Sequence, residues 1–329
     1  MKGFDPKFRD FPDYILGITQ EIWEGRAIAT LHDYYAQDII VRSPSSVVRG
    51  NGGVIAATMA TLAEFPDRQL LGEDVIWSGT PEAGMLSSHR ILSVATHTGD
   101  GVYGRATGKK LVYRVIADCH ARNNTIDDEW LIRDQSAIVQ QMGWIPEEYA
   151  RDLITREGGP EACVKPCSPD NDIVGPYTGT GNADPWGEKL ADILMRIMGA
   201  DMAVIGSEYD RAAHLEYPGH KTVHGATEAT HFWMGLRAAF PSARFAIHHR
   251  IGRADPDMPP RAAIRWSLTG KHDGWGIFGR PTGAAVHVMG ITHAEFGRHG
   301  SGPVQLRREW TLFDETAIWK QIHLATGLV

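Results

Sequence analysis

Two stretches decide the fold: residues 129–141, "EWLIRDQSAIVQQ", and residues 309–321, "EWTLFDETAIWKQ". Both follow E-W-x-x-x-D-x-x-A-I-x-x-Q, six identical positions in thirteen at an offset of 180 residues. Outward from these, further matches keep a common offset of 175: residues 48–50 with 223–225, 64–67 with 239–242, Arg90 with Arg265, His97 with His272, and 101–108 ("GVYGRATG") with 276–283 ("GIFGRPTG"). One offset shared by so many scattered matches marks a tandem duplication. The step from 175 to 180 implies a five-residue length difference between two turns.

A chain of 329 residues has room for about two domains of roughly 150 residues. Its 43% hydrophobic and 22% charged content are those of an ordinary globular protein. A formal charge of −7 argues against a phosphate-binding surface, so no nucleic-acid partner is expected. No apolar run approaches the ~20 residues of a membrane span, so no membrane partner is expected either. The opening "MKGFDPKFRDFPDY" lacks the apolar core of a signal peptide, which leaves the cytoplasm as the default location. Cys119, Cys163 and Cys167 are an odd set without an export signal, and "CVKPC" reads as incidental thiols rather than a redox or metal pair.

Residues 156–186 are crowded with Gly, Pro, Asn and Asp and read as a linker. The expected domains are therefore 1–155 and 185–329, joined by 156–184, with a short helix just before the joint at "IPEEYARDLITREGG". Each half opens with a helical stretch, 12–36 or 188–213, in which Ile15, Ile18, Ile22 and Trp23 recur at helical spacing. A third, short helix follows the VRG or VHG turn and stops before Pro66 or Pro241. The remainder, including residues 84–104, 109–124 and 128–143, reads as alternating strand. Helices followed by a run of antiparallel strands predict an α+β fold in two copies, each a curved antiparallel sheet closed by its N-terminal helices into a cone.

This pattern resembles the SnoaL-like polyketide cyclases of the nuclear-transport-factor-2-like (NTF2-like) superfamily. The resemblance covers roughly 10–145 and 185–325. It is carried by Gly50 before Phe65-Pro66 and Gly225 before Phe240-Pro241, by the strand arginine, by the G-x-x-G-R-x-T-G turn and by the closing E-W-x-x-x-D motif. The resemblance implies a cofactor-independent enzyme in which the motif aspartate, Asp134 or Asp314, acts as acid and base. It also implies that the halves pair as an internal pseudo-dimer, a unit that could itself form a homo-oligomer. The fold hosts binding proteins as well as enzymes, so a non-catalytic small-molecule-binding protein is the alternative reading.

The motif also has a physical reading. Strand side chains alternate, so Trp130, Ile132 and Asp134 share one face, as do Trp310, Leu312 and Asp314. An acid among such neighbours is costly to ionise, which is the property a proton carrier needs near neutral pH. An Asp just past a strand also caps turns or pairs with an arginine such as Arg90 or Arg265, a structural alternative. His97 and His272 are candidates to polarise an oxygen or pass a proton, or else turn histidines satisfied by backbone. Trp130, Trp310, Arg90, Arg265, His293 and the aligned Asp118 are candidate substrate-binding residues. Most histidines lie in the second half, which points to the second interior as the more elaborate one. His287, His293 and Glu295 share a strand face, but the outer ligands lie about 20 Å apart, so no metal site is assigned. A small apolar organic substrate suits a single proton carrier in a dry interior; cyclisation, isomerisation and hydrolysis all fit.

Overall fold

The computed structural model describes residues 1–327. They form two compact units, residues 1–145 with 165–179 and residues 146–164 with 180–327. Linker residues 165–179 thus belong to unit 1 and the helix before the joint to unit 2. Among the described residues no helix is long and apolar enough to cross a membrane.

Unit 1 runs α1 (Phe11–Thr19), a π-helical turn (Gln20–Glu24), α2 (Leu31–Tyr34), β1 (Tyr35–Ser43), β2 (Ser46–Arg49), α3 (Asn51–Glu64), β3 (Gln69–Thr80), β4 (Gly84–Thr96), β5 (Lys110–Arg122), β6 (Thr125–Arg133) and α4 (Gln135–Met142). Unit 2 runs α5 (Pro146–Arg156), α6 (Pro185–Met198), α7 (Ala203–Glu208), β7 (Tyr209–Tyr217), β8 (Lys221–His224), α8 (Gly225–Ala239), β9 (Arg244–Arg253), β10 (Arg261–Lys271), β11 (Ala285–Arg298), β12 (Val304–Phe313) and α9 (Glu315–Thr326). The sheets have the same order, β2-β1-β6-β5-β4-β3 and β8-β7-β12-β11-β10-β9. The duplication is therefore structural as well as textual. The five extra residues sit in one hairpin: two residues join β5 to β6 whereas five join β11 to β12, and β11 and β12, of 14 and 10 residues, are each one longer than β5 and β6, of 13 and 9.

Three expectations need correction. The sheets are mixed, because β1 pairs with β6 and β7 with β12 in parallel. Strand β1 leaves the helices along the direction of β6, so they meet side by side rather than through a hairpin. The opening segment is not one long helix: α1 gives way to the π turn and β1 begins at Tyr35, where Tyr35, Ile39 and Ile40 are buried. Finally, the strand expected over 128–143 ends at Arg133. The Asp134 carboxylate accepts from the Ala137 N–H at 3.0 Å and starts α4, and Gly143, at φ +100°, ends it.

That helix explains most of the motif. Asp314 caps α9 in the same way, its Oδ1 accepting from the N–H groups of Thr316 and Ala317 at 2.8 and 3.2 Å. The closing glutamine extends the sheet with a side-chain amide. Gln141 accepts from the Val112 N–H at 3.0 Å and donates to the Val112 carbonyl at 2.8 Å; Gln321 does the same with His287 at 2.7 and 3.0 Å. Each helix is thereby locked to the strand beside it, and the pattern D-x-x-A-I-x-x-Q is a strand-to-helix joint.

Candidate functional site

One face of each sheet looks towards its helices. In unit 1 the core joins Tyr14, Ile15, Ile18, Tyr34 and Tyr35 to Met85, Ala117 and Cys119 of the strands. The pairings Ser87↔Cys119↔Glu129 and His89↔Ala117↔Leu131 put Ser87, His89, Glu129 and Leu131 on this same inner face. Trp130, Ile132 and Asp134 have the opposite parity. Asp118 and Ser88 stand beside Trp130 in the same register, and the Arg42 guanidinium lies 4.5 Å from the centre of the Trp130 ring.

The inner acid is Glu129, the first letter of the motif. It is buried, and burial drives its carboxyl up to about 7 despite a hydrogen bond from Tyr35. The charge of neighbouring Asp128 adds to the rise. His89 on the next strand but one is pushed down to about 4 by burial, so its imidazole is neutral at pH 7. Ser87 Oγ lies 3.2 Å from His89 Nδ1.

Unit 2 repeats the acid. Glu309 is completely buried, and burial raises it to about 7 against hydrogen bonds from Thr311 at 2.7 Å and Tyr209 at 2.7 Å. Its surroundings differ. Thr311 lies 2.9 Å from Thr292, which accepts the Trp266 Nε1–H at 3.0 Å, and Tyr217 lies 3.3 Å from the second carboxylate oxygen. The positions of Ser87 and His89 are taken by Ala262 and Ile264, and Trp233, Trp266 and Phe313 pack into the same buried core. Around its acid, unit 2 thus carries tyrosine, threonine and tryptophan rather than histidine. The surplus histidines pair elsewhere, His248 with Ser267 at 2.7 Å and His287 with Thr269 at 2.7 Å.

The remaining sequence candidates fall as follows. Asp134 and Asp314 are buried and engaged as helix caps, each also accepting a hydroxyl two residues on, Ser136 or Thr316. His97 lies in the turn after β4. Its Nδ1 accepts the Thr107 N–H at 3.3 Å and its Nε2 reaches Glu64 Oε1 at 3.2 Å. His272 keeps the threonine contact, Nδ1 to Thr282 Oγ1 at 3.1 Å, but Ala239 replaces the glutamate. Its buried Nε2 has no hydrogen-bond partner among the described residues, and burial lowers its pKa although Asp273 opposes this. Arg90 forms an ion pair with Glu73 at 3.0 Å. Arg265, Trp310 and His293 are buried, with His293 and Trp310 facing each other across β11 and β12. Among the described residues no group of three His, Cys, Asp or Glu side chains is arranged to hold a metal ion.

The sequence singles out the motif aspartate, whereas the acid on the helix-facing side of the sheet is the first residue of the motif. The signal was present: Glu129 and Glu309 are identical in both halves at a strand position.

Known families match both units. The SnoaL-like polyketide cyclase profile matches residues 14–142 and a SnoaL-like domain profile matches 194–301. The chain is a tandem of two SnoaL-like domains. Each solved neighbour spans one such domain. IdmH of Streptomyces antibioticus, a candidate polyketide cyclase, is 22% identical, with 40% of this chain and 98% of that one covered and a TM-score of 0.35. TsrD of Streptomyces laurentii is 16% identical over 41% of this chain and 95% of its own, with a TM-score of 0.35. A SnoaL-like polyketide cyclase of Agrobacterium tumefaciens is 16% identical over 40% and 97%, at 0.33. No curated protein matches the sequence.

Proposed function

We propose that unit 1 is a cofactor-independent acid/base enzyme of the cyclase or isomerase kind, acting on a small, largely apolar organic substrate. The observation that carries this is Glu129, a carboxyl held near 7 on the helix-facing side of a SnoaL-like sheet. A group half-ionised at neutral pH can take a proton from carbon and return it elsewhere without a large penalty in either direction. The neutral imidazole of His89 and the Ser87 hydroxyl are available to polarise an oxygen of the substrate. Unit 2 is read as non-catalytic: its acid is hydrogen bonded by Tyr209, Tyr217 and Thr311, and aromatic side chains fill the space around it.

The test is a thermal-stabilisation screen of small aromatic and polycyclic carbonyl compounds, followed by turnover assays of those that bind. Glu129→Gln should retain binding and lower kcat by about 10²-fold or more. Full turnover in that variant rejects Glu129 as the proton carrier. Because the family resemblance points to the motif aspartate, Asp134→Asn belongs in the same series; loss of turnover there at an unchanged Tm would move the role to Asp134.

A further inference from the structure

Farther along the same inner face, unit 1 holds a buried arginine, Arg68, beside a half-buried one, Arg133. Arg133 ends β6 opposite Val115, and Arg68 lies just before β3, its Nε 3.4 Å from the Ser93 hydroxyl. Tyr113 pairs with Ser93 across β4 and β5 and hydrogen bonds Arg68, while Tyr103 hydrogen bonds Arg133. Tyr103 and Tyr113 are both buried. The strongest electrostatic neighbours of Arg68 are Tyr113, Arg133 and Tyr103, two phenols and a second cation, with no acid among them. Glu64, the acid that acts on Tyr103, is taken up by the turn: it accepts from the N–H groups of Val102 and Tyr103 at 3.2 and 2.9 Å and contacts His97.

Unit 2 shows that the fold does not require this arrangement. At the positions matching Arg68, Ser93, Tyr103, Tyr113 and Arg133 it carries Ala243, Leu268, Phe278, Val288 and Phe313, all buried. Burying the Arg68 guanidinium beside a second cation, with phenol and hydroxyl groups as its partners, costs stability, and the sister unit makes the same sheet with hydrocarbon. Burial raises the Tyr113 phenol, yet the two cations outweigh it and hold it below its ordinary value, as a positive field in the interior requires.

We infer that Arg68, Arg133 and Tyr113 form an anion-recognition subsite, and that the substrate of unit 1 is an organic carboxylate whose charged end seats there while its reacting carbon lies towards Glu129. This rests on the reading of the inner face as the site. Four residues of strand separate Arg133 from Glu129, about 13 Å, which suits a molecule of two or three fused rings. Guanidinium groups recognise a carboxylate through paired N–H donors, which a lysine cannot reproduce.

The experiment uses 2-naphthoate and its neutral analogue 2-naphthamide, titrated calorimetrically into the full-length chain. The wild type should bind naphthoate at least tenfold more tightly than naphthamide, and Arg68→Gln should reduce that preference to within about twofold. Arg68→Lys, which keeps the charge and guards against simple misfolding, should retain only part of it. Equal affinity for the two probes in the wild type, or an undiminished preference in a folded Arg68→Gln protein, overturns the inference. Glu129→Gln separates the two proposals: naphthoate binding should survive it. Turnover that survives it would defeat the proton-carrier assignment and leave the anion subsite standing.

Discussion

At the residue scale, the two buried glutamates make the protein sensitive to pH in a definite direction. Glu129 and Glu309 titrate near 7 in the fold and near 4.5 in an unfolded chain. Protonation therefore favours the folded state, so each group's contribution is complete below about pH 4.5 and is lost as pH rises through about 7. Glu309→Gln removes that loss. Its stability relative to wild type should improve by about 2 kcal/mol between pH 5 and pH 8, measured by urea unfolding at both. The capping aspartates behave differently. Asp134→Ala or Asp314→Ala should each cost about 1 kcal/mol, and Asp→Asn much less, because asparagine also caps helices; thermal melts of the four variants test this.

At the element scale, the strands reveal why the inner acid was hard to choose. Alternation correctly grouped Trp130 with Asp134 and Glu129 with Leu131, but the apolar look of Trp130 and Ile132 suggested that theirs was the interior face. Both faces are in fact buried: Ser88, Arg90 and Asp118 on one are as inaccessible as Ser87 and Cys119 on the other. Only the packing of Tyr14, Tyr34 and Tyr35 identifies the helix-facing side, and that is a long-range property which no thirteen-residue window contains. The helices after the Gly50 and Gly225 turns, by contrast, were legible because Pro66 and Pro241 mark where they stop. Strand β11 offers a sharper test of unit 2 packing. A Cβ on Gly290 would lie 2.1 Å from the Trp266 indole, which is itself completely buried. Gly290→Ala should therefore destabilise by about 2 kcal/mol, read as a lower urea midpoint.

At the scale of the whole molecule, the duplication was readable from offsets alone, and the shared strand order confirms it. The contrast between the two inner faces was not, because counting histidines weighs exposed and outer-face residues equally with those in the interior. If the active interior belongs to unit 1 alone, calorimetry should find one 2-naphthoate bound per chain, and Glu309→Gln should leave turnover within about twofold of wild type. Two molecules bound per chain would assign a working interior to unit 2 as well.

Tyr35 with Glu129 and Tyr209 with Glu309 are the same phenol and the same acid, drawn from equivalent strands of the two copies. A couple repeated in both copies is what doubling a domain that already carried it would leave. The arginines of one copy and the hydrocarbon of the other mark where the two have parted.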